Sequence, residues 1–172
     1  MRRFLALSGV LAGALACTAP AGAATPAELK EAKAYVERIY RTIPGRFDYA
    51  AVHYAPELKD LVDRDGAWSR ASGDVGVIDG IMFCDCQDTA PNYRIMSISV
   101  TASGATGAVV TVMLRNEKTG RFMIDLILSR GHWLVADIHS PETPSFLGQL
   151  RREVPREEAE LRKSRGSRQR RR

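Results

Sequence analysis

The sequence of 172 residues is poor in the residues from which most metal, redox and nucleophilic sites are built. It holds three cysteines and three histidines, and His53, His132 and His139 follow no metal-ligand spacing. No serine lies in a G-x-S-x-G context, no cysteine pair has C-x-x-C spacing, and the isolated Gly76 and Gly80 form no phosphate-binding loop. The familiar signatures of serine hydrolases, thioredoxin-like oxidoreductases and phosphate-binding loops are therefore absent.

Long apolar runs are also missing, except at the N-terminus. No later segment approaches the roughly 20 apolar residues of a membrane-spanning helix. Residues 4–16 form a short apolar stretch after Arg2 and Arg3, and the small residues at 21–23 suit a signal peptidase. The sequence thus predicts a cleavable signal peptide over residues 1–23 and a periplasmic or secreted protein.

Cys17 leaves a second destination open. Leu15-Ala16-Cys17 resembles a lipoprotein processing site, although Ala14 stands where leucine is usual. Twin-arginine export is disfavoured because no polar residue precedes the arginine pair and the core is strongly apolar. Cleavage by general secretion is the favoured prediction, and a lipid anchor at Cys17 is the alternative.

The positive charge of the chain is concentrated at its C-terminus. Residues 24–150 carry 13 Lys and Arg against 16 Asp and Glu, a net charge of −3, whereas residues 151–172 carry 10 against 4, a net charge of +6. The domain therefore has no basic face for nucleic acid. The tail from Arg162 is predicted to be disordered and attracted to an anionic membrane surface, lipopolysaccharide or an acidic partner, unless it is an inert solvated segment.

The N-terminal part of the predicted mature chain has the pattern of helices. Thr25-Pro26-Ala27-Glu28 is a capping box followed by apolar residues at helical spacing, which predicts a helix over 26–42. Ala55-Pro56-Glu57 opens a second helix that Asp65-Gly66 should end or interrupt. A third helical segment is expected from Pro144 to about Leu161.

From Tyr93 onward, apolar and polar residues alternate with the period of strands. Turn sequences at 103–107, 116–120 and 130–132 divide this region into four strands. We expect a four-stranded antiparallel meander with helices on one face, which is an α+β fold. It should form one domain over residues 24–150, followed by a helical extension and the basic tail.

Two short segments carry a resemblance to a known family. Residues 83–88 read Phe-Cys-Asp-Cys-Gln-Asp, and residues 133–138 read Trp-Leu-Val-Ala-Asp-Ile before Pro144-Ser145 and Leu147. Over about residues 28–151 the chain resembles the exported bacterial domains grouped as domain of unknown function 3828 (DUF3828). The resemblance implies a cone-shaped fold with a bent sheet, similar to nuclear transport factor 2 (NTF2-like, cystatin-like), a scaffold shared by isomerases, dehydratases, immunity proteins and binding modules. The family-like residues are Phe83, Gln87, Asp88, Trp133 and Asp137.

Cys84 and Cys86 are the two cysteines of the predicted mature chain. An oxidising compartment would pair them, and a disulfide across one residue closes a small ring that is easily reduced. Two free thiols and a redox or soft-metal site are the alternatives, and the further metal ligands would be His132 and His139. Because many relatives carry other residues at these positions, the resemblance implies no metal or redox role.

Asp125 is the candidate for an acid in a cavity, because it lies out of phase with the apolar residues of its strand. In a cone cavity it would act as general base, assisted by Tyr93 or His132, in a small isomerase or hydrolase. The alternative is a solvated carboxylate or one paired with an arginine. Asp137 is expected to fix the turn after its strand, and Asp88 to cap the turn before the first strand.

No catalytic constellation stands out, and no cofactor is implied. The sequence therefore favours an exported binding module, for a small ligand or an envelope protein, over the enzyme and over the redox or metal site. The two tryptophans and most other aromatic residues are expected to belong to the core or its rim.

Overall fold

The structure, a computed structural model, describes residues 23–45 and 47–169, with side chains up to residue 163. The predicted signal peptide up to residue 22, including Cys17, and the last three residues lie outside this part of the chain. None of the helices in this part of the chain has the length and apolar character of a membrane-spanning segment.

Helix α1 spans Pro26–Thr42, as predicted. Its capping box is formed, because Glu28 N donates to Thr25 Oγ1 at 3.3 Å and Thr25 N donates to the Glu28 carboxylate at 2.7 Å. One face of α1 is buried, and a short 3₁₀ helix, Tyr49–Ala51, follows.

Helix α2 spans Pro56–Ser72 and begins where the sequence predicts. The prediction that Asp65-Gly66 ends or interrupts it was wrong. Asp65 is only 2% exposed and accepts hydrogen bonds from the loop that follows the helix, so this contact favours continued helix over a turn. The helix ends instead at Gly73, whose φ of +82° is the left-handed conformation that glycine adopts without strain.

The sheet confirms the predicted α+β architecture. Its strands are β1 (Arg94–Ser103), β2 (Gly107–Asn116), β3 (Lys118–Ser129) and β4 (His132–His139), and each pairs antiparallel with the next in the order β1-β2-β3-β4. Alternate residues of each strand point to one side, which the three helices cover. The buried apolar side chains of the sheet are those of Ala108, Val110, Val112, Leu114, Phe122, Ile124, Leu126, Trp133, Val135 and Ile138.

Helix α3 spans Phe146–Gln169, beyond the predicted end at Leu161. The expectation of a disordered segment from Arg162 was wrong as far as Gln169, because arginine, lysine and glutamine favour helix and the preceding turns are packed. Leu150 and Val154 are fully buried, so the packed structure also extends past the predicted domain boundary at residue 150.

Candidate functional site

The three residues proposed for catalysis lie in different parts of the fold. Asp125 lies on the sheet face away from the core, with 42% of its side chain exposed, and lines none of the cavities described below. Tyr93 donates its hydroxyl to the backbone oxygen of Tyr40 at 2.9 Å, and burial raises its pKa. His132 is exposed at the start of β4. The structure therefore does not assemble a site from Asp125, Tyr93 and His132.

Asp125 contacts His139 instead, a pairing that the sequence analysis missed. His139 Nε2 lies 2.9 Å from the Asp125 carboxylate and His139 Nδ1 lies 2.5 Å from the backbone oxygen of Pro144. Both partners are acceptors, so both ring nitrogens donate when the imidazole is protonated. Burial alone would lower the pKa of His139, but these hydrogen bonds and the charges of Asp125 and Asp137 raise it above its usual value. Both ring nitrogens face protein acceptors, so His139 holds the chain in place, and in its protonated form it has no free lone pair for a substrate.

Asp137 holds the same segment from the other side. Its carboxylate accepts from the Ser145 hydroxyl at 2.6 Å and from Leu147 N at 2.8 Å, and Ser145 Oγ accepts from Gly148 N. These bonds satisfy donors in the first turn of α3. Residues 140–145, which we call the β4–α3 loop, are thereby fixed at both ends.

A second fixed segment, residues 77–87, lies opposite and is called the disulfide loop here. Cys84 and Cys86 are joined in a disulfide with a Cα separation of 5.2 Å. Backbone hydrogen bonds between Ile81 and Cys86 close the turn, and the Tyr49 hydroxyl donates to the backbone oxygen of Gly80. The bridged turn places Asp85 at a φ of +47°, a conformation that aspartate tolerates better than most residues.

The start of the disulfide loop is held by the buried Asp65 of α2. Its carboxylate accepts from Val77 N at 2.7 Å and from Ile78 N at 3.3 Å. Gly76 packs directly against this carboxylate, and a Cβ at that position would overlap it. The loop therefore has a fixed position without belonging to a helix or to the sheet.

The disulfide loop and the β4–α3 loop enclose a cavity of about 270 Å³, the disulfide-loop pocket. Three acidic residues, Asp79, Asp85 and Glu142, line it together with uncharged polar residues, and no lysine, arginine or histidine among the described residues does. The Asp85 carboxylate also accepts from Glu142 N at 3.4 Å, which joins the two loops. The apolar lining is formed by Val77, Ile78, Ile81, Met82, Cys86, Ile138 and Phe146.

This pocket brings together the two segments that carry the family resemblance. Residues 85–87 form one wall, and residues following Trp133-Leu134-Val135-Ala136-Asp137-Ile138 form the other. Phe83 and Trp133 themselves are buried in the core. Gln87 donates to the Asp79 backbone oxygen at 3.3 Å. The turn at Asp88 is held by Asn116, which accepts from Ala90 N and donates to the Asp88 backbone oxygen, a role that the sequence analysis did not assign.

Two further cavities have mixed charge. One, of about 490 Å³, lies between α1 and the turn before β4, and its lining includes Glu31, Arg38, Asp48, His53 and His132. Another, also about 490 Å³, lies on the other side of the disulfide loop, and its lining contains several acidic residues as well as Lys118. Neither lining has the single sign of charge found in the disulfide-loop pocket.

The candidate metal ligands do not converge. Cys84 and Cys86 share a disulfide, and bonded sulfurs offer no thiolate to a metal. His132 and His139 are the first and last residues of β4, about 23 Å apart along a strand. In the described part of the chain, no group of three or more His, Cys, Asp or Glu residues is placed to hold a metal ion.

The sequence already contained a signal for the pocket, because Asp85 lies within the first resembling segment, and Asp79 and Glu142 lie close to the two segments. These three acidic residues come together only through the conformation of the two loops, which the periodicity of apolar residues does not predict. The chain matches no protein-family model, no curated protein and no solved structure, so its likeness to domain of unknown function 3828 and to the NTF2-like cone stays a prediction.

Proposed function

We propose that this protein is an exported binding module that holds a small organic ammonium compound in the disulfide-loop pocket. The observation that carries the proposal is a lining that combines seven apolar residues with three acidic ones and, within the described part of the chain, no lysine, arginine or histidine. An ammonium group would form charge-assisted hydrogen bonds with the carboxylates, and its hydrocarbon part would contact the apolar residues.

The size of the pocket favours a small ligand. Its volume of about 270 Å³ lies near the lower end of small-molecule sites. Asp85 is partly buried, whereas Asp79 and Glu142 are exposed, so the ligand would keep one end towards solvent. We therefore expect a primary amine with a compact apolar body.

The two walls suit binding because they are held before any ligand arrives. Asp65 and the Cys84–Cys86 disulfide hold one wall, while Asp137 and His139 hold the other. Prepositioned groups lose less conformational entropy when a ligand binds. The engaged ring nitrogens of His139 favour this binding role over the isomerase or hydrolase alternative.

Export rests on the signal pattern of residues 1–23, and the basic C-terminus is proposed to bring the module near anionic envelope surfaces. The arginine side chains at 152, 156 and 162 are exposed, as such an attraction requires.

The test compares three probes that share a phenethyl body and differ in charge. Phenethylammonium, phenethyl alcohol and phenylpropanoate are titrated into the purified protein by calorimetry. We expect saturable binding of the ammonium compound, binding of the alcohol weaker by about tenfold, and no binding of the carboxylate.

Variants assign the binding to the pocket. Asp85→Asn keeps an acceptor for Glu142 N and tolerates positive φ, so it removes charge with little change in shape. It and Glu142→Gln should each weaken phenethylammonium binding by up to about fivefold, the effect of one partly exposed ion pair. Asp63→Asn, on the exposed side of α2, should leave binding unchanged. Equal binding of all three probes, or no effect of the two pocket variants, would contradict the proposal.

A further inference from the structure

The two edges of the sheet differ in how they are covered. At the β4 edge, Ala55 N donates to Val135 O and Val135 N donates to His53 O, both at 2.8 Å. Strand β1 forms the other edge, and within residues 23–45 and 47–169 no backbone hydrogen bond from outside the sheet reaches it. An antiparallel edge strand directs about half of its backbone N–H and C=O groups outward, so β1 presents a row of groups that can pair with another strand.

The sequence of β1 does little to prevent such pairing. Exposed edges usually carry charged residues or proline, which block a second strand. Residues 95–102 of β1 read Ile-Met-Ser-Ile-Ser-Val-Thr-Ala and contain neither. The register shift between Ile95 and Ser97 is confined to one end of the strand, which leaves the stretch from Ser97 to Ser103 regular.

The hydrophobic core is incomplete at this edge. Ile95, Ile98 and Val100 pack against the core but stay partly exposed. The residues opposite them on β2, Leu114, Val112 and Val110, are at most 1% exposed. A further strand beside β1 would cover these apolar side chains and extend the core.

We propose that β1 pairs antiparallel with β1 of a second copy of this chain, forming a continuous eight-stranded sheet across a two-fold axis. The strand is complementary to itself in this arrangement. With Ser99 of both copies at the axis, Ile98 lies opposite Val100 of the second copy, and Ser97 lies opposite Thr101 of the second copy. Apolar residues therefore lie opposite apolar residues on one face and hydroxyl residues opposite hydroxyl residues on the other, and no two charges of the same sign are brought together.

This self-complementarity identifies a second copy as the occupant. An unrelated peptide could pair with the backbone groups of β1, but residues 95–102 offer no charged side chain and no pocket that would select the sequence of the peptide. The inference is independent of the ligand proposal, because it depends on the β1 edge and not on the disulfide-loop pocket.

The test introduces one charge at the two-fold axis. Ser99→Lys and Ser99→Glu each place two like-charged side chains directly opposite each other across the axis, on Cβ atoms about 5 Å apart, which disfavours pairing. Thr111→Lys is the matched control: Thr111 is the cross-strand neighbour of Ser99 on β2, so its copies stand about 14 Å apart, beyond the Debye length at physiological salt.

Sedimentation equilibrium on the protein secreted from its full coding sequence measures the dimer dissociation constant. We expect the unmodified protein and Thr111→Lys to be dimers at about 50 μM, and each Ser99 variant to dissociate at least about fivefold more readily. An equimolar mixture of Ser99→Lys and Ser99→Glu should recover dimers, which shows that both variants are folded. A monomeric unmodified protein, no effect of the Ser99 variants, an equal effect of Thr111→Lys or no recovery in the mixture would each overturn the proposal.

Discussion

The buried carboxylate of Asp65 should be among the strongest single contributions to stability outside the apolar core. Its two hydrogen bonds, to Val77 N at 2.7 Å and Ile78 N at 3.3 Å, hold the start of the disulfide loop. Asp65→Ala leaves both backbone donors without this partner, and hydrogen bonds to a charged group contribute about 1.5–3 kcal/mol each. Because the second bond is long and Asp65 lies near the carboxylate of Glu157, we expect a net loss of about 3 kcal/mol.

Urea unfolding and thermal melting measure this loss. A destabilisation of about 3 kcal/mol corresponds to a fall in Tm of roughly 6–12 °C for a domain of this size. Asp65→Asn keeps one carbonyl oxygen and should lose about half as much. The control is Asp63→Ala, which breaks only an exposed ion pair with Lys59 and should change the unfolding free energy by less than about 0.5 kcal/mol. A loss below about 1 kcal/mol for Asp65→Ala, or one no larger than the control, would refute the role assigned to Asp65.

Two further predictions concern the walls of the pocket. The pKa of His139 is raised in the folded protein, so its stabilising effect is complete below the unfolded value of about 6.5 and is lost as pH rises through the folded value. The difference in unfolding free energy between the unmodified protein and His139→Gln should therefore be larger at about pH 5.5 than at about pH 9; equal differences would contradict the ion-paired arrangement. Reduction of the Cys84–Cys86 disulfide opens a very small ring, so it should lower stability by only about 1.5 kcal/mol while weakening phenethylammonium binding. Unchanged binding after complete reduction would show that the disulfide does not shape the pocket.

Regular elements were predictable because their determinants are local. The capping box at Thr25 and Glu28 fixes the start of α1, and the alternation from Met96 to Ile138 predicts all four strands of the meander. Phe122, Ile124 and Leu126 fall on the buried face as their spacing requires.

The errors come from tertiary contacts. Asp65-Gly66 reads as a turn, but its aspartate is held by the backbone of residues 77 and 78, which no local pattern reveals. Asp125 was placed correctly out of phase with the apolar residues of β3, yet its partner, His139, lies on the neighbouring strand and is brought to it by the register. The acidic residues of the pocket come from two loops that are joined by the hydrogen bond from Glu142 N to the Asp85 carboxylate, so their proximity follows from the folded structure alone.

An amide chemical-shift titration of the protein with phenethylammonium is the sharpest test of the binding proposal, because it reports where the ligand binds as well as whether it does. We predict saturable shifts that are largest in residues 79–87 and 140–149, with phenylpropanoate producing none there. Shifts that do not saturate, or that concentrate instead on the mixed-charge cavity around Tyr35, His53 and His132, would contradict it.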